Sequence, residues 1–296
     1  YNSYINSYLI CYIGLIGNAY YPNWLFQGLE KLKDISIVTL VTKIIVFSIT
    51  LIFVKGPNDL NIALLIYSLS FVIPTIILTF YSYKVNETKF CKVSKVDVYK
   101  SLKESVPIFI SNISTSLYTS LNSLILSRFV PIELVGMYYS SERIRVALQS
   151  LLNPISQAVY PRVCNAGQDL FNRYSSVFLI FGFCLSVACA IFSVFFGDLY
   201  FGYKFTMSSK YLTLMSPLIF IISFGVVYGQ WFLVAKNLNK VFSKIYILSS
   251  LFHLIHVFPL VYFFGVWGVI ASSLITQTII SSSMLIFYMK RKKNEA

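Results

Sequence analysis

Charge is what this sequence has least of. Only 12% of its 296 residues are Asp, Glu, Lys or Arg, about half the roughly 25% of a soluble domain. Too little polar surface remains to cover a globule in water, which excludes a soluble protein. The five cysteines, Cys11, Cys91, Cys164, Cys184 and Cys189, form no C-x-x-C. No zinc or disulfide framework is implied, and they read as small apolar fillers. No Gly-rich phosphate cradle is present, so ATP would have to be used by another chain. The alternating ten-residue segments of a membrane barrel are missing too. No outer loop is long enough for an extramembrane catalytic domain, and no catalytic residue is assigned. His253 and His256 stand at i, i+3 without the acid cluster a metal would need; a proton relay is their alternative to a structural role.

What is present is apolar: 57% hydrophobic residues, with 26 Phe and 22 Tyr. Continuous runs of about 20 residues suit membrane helices, and backbone groups in lipid must be satisfied internally. The expected fold is therefore all-α and integral to the membrane. Nine spans are predicted, at 3–22, 35–54, 62–82, 106–127, 135–159, 174–196, 211–235, 244–264 and 267–289. Seventeen of the 24 Lys and Arg fall in one alternating set of connections: Lys31/Lys33, 84–104, 162–173, 236–244 and the tail Lys290–Lys293. The other set holds Lys55, Arg128, Lys204 and Lys210. The rich side, with the C-terminus, is expected in the cytoplasm. The net charge of +13 then reports topology and attraction to anionic lipid, and nucleic acid is not implied as a partner.

The chain begins with Tyr1, so the absence of a signal peptide says nothing. A weak internal repeat is visible at an offset of 207. Trp24 matches Trp231, Lys33 matches Lys240, and Leu78, Phe80 and Tyr81 match Leu285, Phe287 and Tyr288. Spans 1–3 would correspond to spans 7–9, as in transporters built from two parallel halves. The expectation is a twelve-span protein, of which three spans precede Tyr1. Its expected domains are 1–83, a partial N-terminal lobe of three spans; 84–104, a cytoplasmic linker; and 105–296, a C-terminal lobe of six spans with a basic tail. Ser94–Glu104 reads equally as an interfacial amphipathic helix or a solvated linker. Pro74, Pro107, Pro154, Pro217 and Pro259 would kink their spans.

Polar residues inside the spans carry the functional signal, since each is costly in lipid. In the fifth span Tyr138, Glu142, Arg145, Gln149, Asn153, Ser156 and Tyr160 follow steps of three and four and share one helical face. The fourth carries Asn112, Ser116, Thr119 and Ser123, with Asn122 close by. Two polar stripes imply a hydrated cavity between the halves; interhelical hydrogen bonds in a dry bundle are the alternative. Glu142 and Arg145 can pair. Arg143 points elsewhere. Lys43, a cation near the middle of the second span, is read as buried and anion-contacting or gating. The alternative is a structural ion pair. Asn112, Thr119, Asn122, Glu142, Arg145, Gln149, Asn153 and Lys43 are the candidate cavity residues.

Tyr21-Pro22-Asn23-Trp24-Leu25-Phe26-Gln27-Gly28-Leu29-Glu30, followed by Lys43, resembles the P-x-W-x-x-Q-G-x-E signature of Wzx-type O-antigen and polysaccharide flippases. These belong to the multidrug/oligosaccharidyl-lipid/polysaccharide exporter superfamily. Pro22, Trp24, Gln27, Gly28 and Glu30 carry the match. Val135 to Ile144, Asn153-Pro154-Ile155-Ser156 and Tyr160-Pro161-Arg162 look like the stretch that opens the family's second half. The resemblance implies two six-helix lobes around a central cavity. It implies transfer of undecaprenyl-diphosphate-linked oligosaccharide, an O-antigen or capsule repeat unit, across the bacterial inner membrane. The expected partners are that lipid-linked oligosaccharide, the bilayer and other polysaccharide-assembly membrane proteins. No cofactor is implied; Glu142 is the carboxylate available for coupling to H+ or Na+. A drug exporter of the same superfamily would favour an acid-rich cavity, against three in-span cations and one acid here. A membrane enzyme of polysaccharide assembly would need the outer loop that is lacking.

Overall fold

The computed structural model describes residues 5–86, 92–164, 167–202 and 205–295. Cys91, Lys204 and the middle of the expected 84–104 linker lie outside them. Among the described residues the regular elements are all helical, as a chain whose backbone must be satisfied within lipid requires. The chain divides into two compact units, residues 1–93 and 94–296.

The first unit contains α1 (Ile5–Ala19), α2 (Asn23–Gly28), α3 (Leu32–Phe53) and α4 (Leu60–Asn86). α4 is central, with α1 and α3 packed against it. Lipid tails are as apolar as leucine, so close approach and hydrogen bonds hold such helices together. Gly17 shows the approach: a Cβ there would lie 2.9 Å from the Val72 backbone nitrogen. Thr75 Oγ1 donates to Gly17 O at 2.8 Å, and Ser68 Oγ to Ile10 O at 2.9 Å.

The second unit contains α5 (Lys95–Phe129), α6 (Ile132–Gln149), α7 (Leu152–Cys164), α8 (Gln168–Phe201), α9 (Thr206–Met215), α10 (Pro217–Phe224), α11 (Asn239–Phe264) and α12 (Val266–Glu295). α10 runs on as a π-helical stretch, Gly225–Val234. α11 packs on both α5 and α12, and α8 on α9 and α10. α5 begins at Ser94, whose hydroxyl accepts from Val96 N. Ser94–Glu104 is thus the exposed first part of a helix that runs straight through residue 105.

Six of these segments are long and apolar enough to cross a membrane: Leu32–Phe53, Leu60–Lys84, Gln168–Phe201, Thr206–Val234, Asn239–Phe264 and Val266–Asn294. The runs predicted at 3–22, 106–127 and 135–159 are largely helical where described but are not among the six. α1 has 15 described residues. α5 is rich in Ser, Thr and Asn, and α6 carries Glu133, Glu142, Arg143 and Arg145.

Two expectations are corrected here. The fifth predicted span is not one helix: it breaks at Ser150 and Leu151. Pro154 removes an N–H and crowds the carbonyl four residues back, at Ser150. Pro217 likewise marks a break, between α9 and α10, whereas Pro74, Pro107 and Pro259 sit inside continuous helices.

The 207-residue repeat is present in the backbone. Glu30 and Asn237, 207 apart, are the two non-glycine residues with positive φ among the described residues, at 56° and 57°. Lys31 N donates to Phe26 O at 2.9 Å, and Leu238 N to Leu233 O at 2.8 Å. Glu30 N donates to Gln27 O, and Asn237 N to Val234 O. α3 starts at Leu32 and α11 at Asn239, again 207 apart. The left-handed region costs a residue with a Cβ roughly 1–2 kcal/mol. Glu30→Gly is accordingly expected to exceed Glu30→Ala in stability by about 1 kcal/mol in detergent melts. Equal stability would mean the turn is not held in that conformation.

Candidate functional site: a polar cavity in the second unit

The stripes expected from the sequence meet in one cavity of about 300 Å3. α5 supplies Thr115, Tyr118, Thr119, Asn122 and Ser123, and α6 supplies Tyr138, Glu142, Arg145 and Gln149. Both sets follow the three- and four-residue steps that stack side chains on one helical face. Ser273 and Gln277 of α12 and Tyr246 of α11 complete the polar wall; Met215, Leu218 and Ile222 close it with apolar surface.

Arg145 is the charged centre of this wall. It is 7% exposed, a position that an unpaired cation could not hold cheaply. Its Nε donates to Glu142 Oε2 at 2.8 Å, its Nη2 to Glu142 Oε1, and its Nη1 to Gln149 Oε1. The acid lies at i−3 and the amide at i+4, so one turn of helix on each side satisfies the guanidinium. The Glu142 side chain remains 28% exposed. The pair is neutral as a whole.

A second set of hydrogen bonds runs from the cavity into the protein. Asn122 Nδ2 donates to Ser273 Oγ at 3.3 Å. Its Oδ1 then faces His253 Nε2 at 2.8 Å, and because an amide oxygen only accepts, Nε2 is the donor of that bond. His253 is fully buried. Its Nδ1 lies 2.7 Å from Thr276 Oγ1 and 3.3 Å from Ser272 Oγ. Ser272 Oγ also reaches His256 Nε2 at 3.0 Å. The two histidines read from the sequence are therefore joined through Ser272, and one of them to the cavity through Asn122. Among the described residues no group of three or more His, Cys, Asp or Glu could hold a metal ion.

Thr119, Asn122, Glu142, Arg145 and Gln149 are brought together. Asn112 and Asn153 are not: both are exposed and outside the cavity. Asn153 leaves the register because α6 ends before it, and Ser156, buried, accepts a hydrogen bond from Trp231 Nε1 instead. Lys43 lies in the first unit and is exposed on α3, which corrects its reading as buried. Its neighbour Thr42 is the buried one, bonded to Val38 O on its own helix. Arg143 is exposed, as expected.

The signature residues build a turn. Pro22 O accepts from Leu25 N and Phe26 N to start α2. Phe26 is fully buried and stacks on Tyr81, whose hydroxyl donates to Asp34 at 3.1 Å. Trp24 is 75% exposed, Gln27 is half-buried, and Glu30 takes the left-handed conformation. Gly28 has open space around a Cβ and an ordinary φ, so the described structure does not require glycine there.

Sequence reasoning missed Tyr118, Ser273, Gln277 and Tyr246. Gln277, a carboxamide in the middle of an apolar run, carried the same signal as Asn122. Its hydrogen bond from Tyr118 OH, at 3.3 Å, spans 159 positions and had no local trace.

The sequence matches the family described as polysaccharide biosynthesis protein over residues 1–167. A protein of Shigella dysenteriae named "Putative O-antigen transporter" is 36% identical over 290 residues, covering 96% of this chain and 72% of that protein. A protein of Escherichia coli K12 with the same name is 35% identical over 292 residues, 94% and 69% of the two chains. No solved structure matches. These matches bear out the resemblance to Wzx-type flippases drawn from Tyr21–Glu30, and the chain belongs to the polysaccharide biosynthesis protein family.

Proposed function

We propose that this multi-pass membrane protein is an O-antigen or capsule-repeat flippase, a transporter and not an enzyme. It moves undecaprenyl-diphosphate-linked oligosaccharide across the inner membrane by alternating access between two six-helix lobes. The chain supplies nine spans of a twelve-span bundle, three more than the six segments whose length and apolarity suit a membrane, with the C-terminus in the cytoplasm. The names of its relatives support the substrate class.

The observation that carries the reading is the polar wall around Arg145. A diphosphate needs a cation that can offer more than one donor, and a guanidinium does. The hydroxyls and amides of Thr119, Asn122, Gln149, Ser273 and Gln277 match the donors and acceptors of sugar. The polyprenyl chain stays in lipid. Lys43 on the first unit is the second anion contact.

The Glu142–Arg145 pair also suggests how an ion would be coupled. With Glu142 ionised, Arg145 is occupied. A proton on Glu142 releases the guanidinium and raises the charge of the wall by one, so diphosphate binds more tightly. H+ on Glu142 is the coupling ion of this reading, with Na+ as the alternative.

The test is complementation of a flippase-null strain with the full-length protein. The wild type should restore surface polysaccharide; failure to do so sinks the assignment. Lys43→Ala should lower it roughly tenfold, the worth of a hydrogen bond to a charged group, and Lys43→Arg should keep most of it. Wild-type levels from Lys43→Ala would remove this residue from the substrate path.

A further inference from the structure

Away from the cavity, α5 and α11 leave a groove of about 270 Å3 between them. Its walls at one end are apolar, with Ile110 on α5 and Leu248 on α11. At the other end stand Lys240 and Lys244, at i, i+4 on one face of α11. Lys100 and Lys103 lie seven and four residues before Pro107, which lines the groove, so the helical period stacks them on its face. None of these four lysines has an ion-pair partner among the described residues, and the nearby Glu104 makes no ion pair with them.

Between the lysines lies Ser243. It is 6% exposed, lines the groove, and has no hydrogen bond among the described residues. Most other buried serines and threonines of this protein donate to a carbonyl of their own or a neighbouring helix. The Ser243 hydroxyl is open to the groove and stands beside two cations that make no ion pair among the described residues.

We propose that this groove binds one phospholipid of the surrounding bilayer by an anionic phosphodiester headgroup. The phosphate would rest on Lys240 and Lys244 and accept from Ser243, with an acyl chain along Ile110 and Leu248. The groove runs from the polar end of two helices into their apolar length, so its occupant must join an anionic head to an apolar tail. A soluble anion lacks the tail, and a zwitterionic lipid gives the cations less. Basic pockets between membrane helices are known to hold anionic headgroups. The proposal does not depend on what the cavity transports.

The experiment is native mass spectrometry of the full-length protein in neutral detergent, with equal phosphatidylglycerol and phosphatidylcholine. Each lysine in contact with an anionic headgroup should favour phosphatidylglycerol about fivefold. The double variant Lys240→Gln/Lys244→Gln should lose that preference, and Lys240→Arg/Lys244→Arg should keep it. Lys292→Gln/Lys293→Gln removes the same charge from the tail and should retain the wild-type preference. Ser243→Ala should weaken phosphatidylglycerol retention several-fold with its melting temperature in detergent unchanged. An unchanged preference in the double Gln variant overturns the proposal. So does an equal loss in the tail variant, since the preference would then follow total charge. Displacement of the lipid by millimolar inorganic phosphate would show a site for free phosphate and would overturn it as well.

Discussion

Arg145→Ala in the full-length protein is expected to cut surface polysaccharide in a flippase-null strain by a hundredfold or more. Two losses add. On the proposed function the diphosphate loses its guanidinium, and Glu142 is left as an unpaired carboxylate beside Tyr138, which is 5% exposed. A hydrogen bond to a charged group is worth about 1.5–3 kcal/mol, and a tenfold change in an equilibrium needs about 1.4 kcal/mol. Arg145→Lys should recover only part of the activity. It restores charge but not the fork that now bonds Glu142 and Gln149 together. Glu142→Gln separates the two losses, because it mimics the protonated acid and leaves Arg145 free. Anion binding should persist in that variant while transport loses its dependence on the proton gradient. Near wild-type polysaccharide from Arg145→Ala would remove the polar wall from the mechanism.

Trp231→Ala is expected to lower the stability of the protein by about 3 kcal/mol, the low end for a buried aromatic. Surrounding lipid is itself apolar, so the loss is packing and hydrogen bonding and not burial from water. Trp231 is 2% exposed, bonds Ser156 Oγ at 3.0 Å and packs on Phe178 with ring centroids 4.8 Å apart. Trp24 holds the matching place in the repeat but is 75% exposed in the described structure. In this chain Trp24→Ala should change stability by less than about 0.5 kcal/mol. The comparison is a pair of thermal melts in one detergent. Equal shifts would mean that the two turns are packed alike, against their different burial.

Much of the site was legible because helical periodicity is local. Glu142, Arg145 and Gln149 needed only the steps of three and four within α6, and their mutual hydrogen bonds follow from that spacing. The same rule failed at Asn153, one helix further on. The stripe's period runs on through Pro154, whose effect on the helix is also local: the helix breaks at Ser150 and Leu151 instead of merely kinking. It also failed at Asn112, which shares its period with Thr119 yet lies off the cavity. The apolar run around Lys43 predicts a buried side chain. An apolar run in lipid says nothing about which side of a helix meets another helix, and Lys43 proved exposed.

The sequence by itself determined the class of this protein: helical, membrane-embedded, repeated at an interval of 207 and marked by the Pro22–Glu30 signature. Composition, run length and residue identity settle these because lipid allows few backbone solutions. Even the left-handed residues of the two turns stand at the repeat interval. Tertiary structure decided which polar residues meet. Asn122 joins His253 across 131 positions, and Tyr118 joins Gln277 across 159. Side-chain hydrogen bonds of such separation depend on how α5, α11 and α12 pack, and helices that share an apolar surround carry no sequence period that specifies their neighbours.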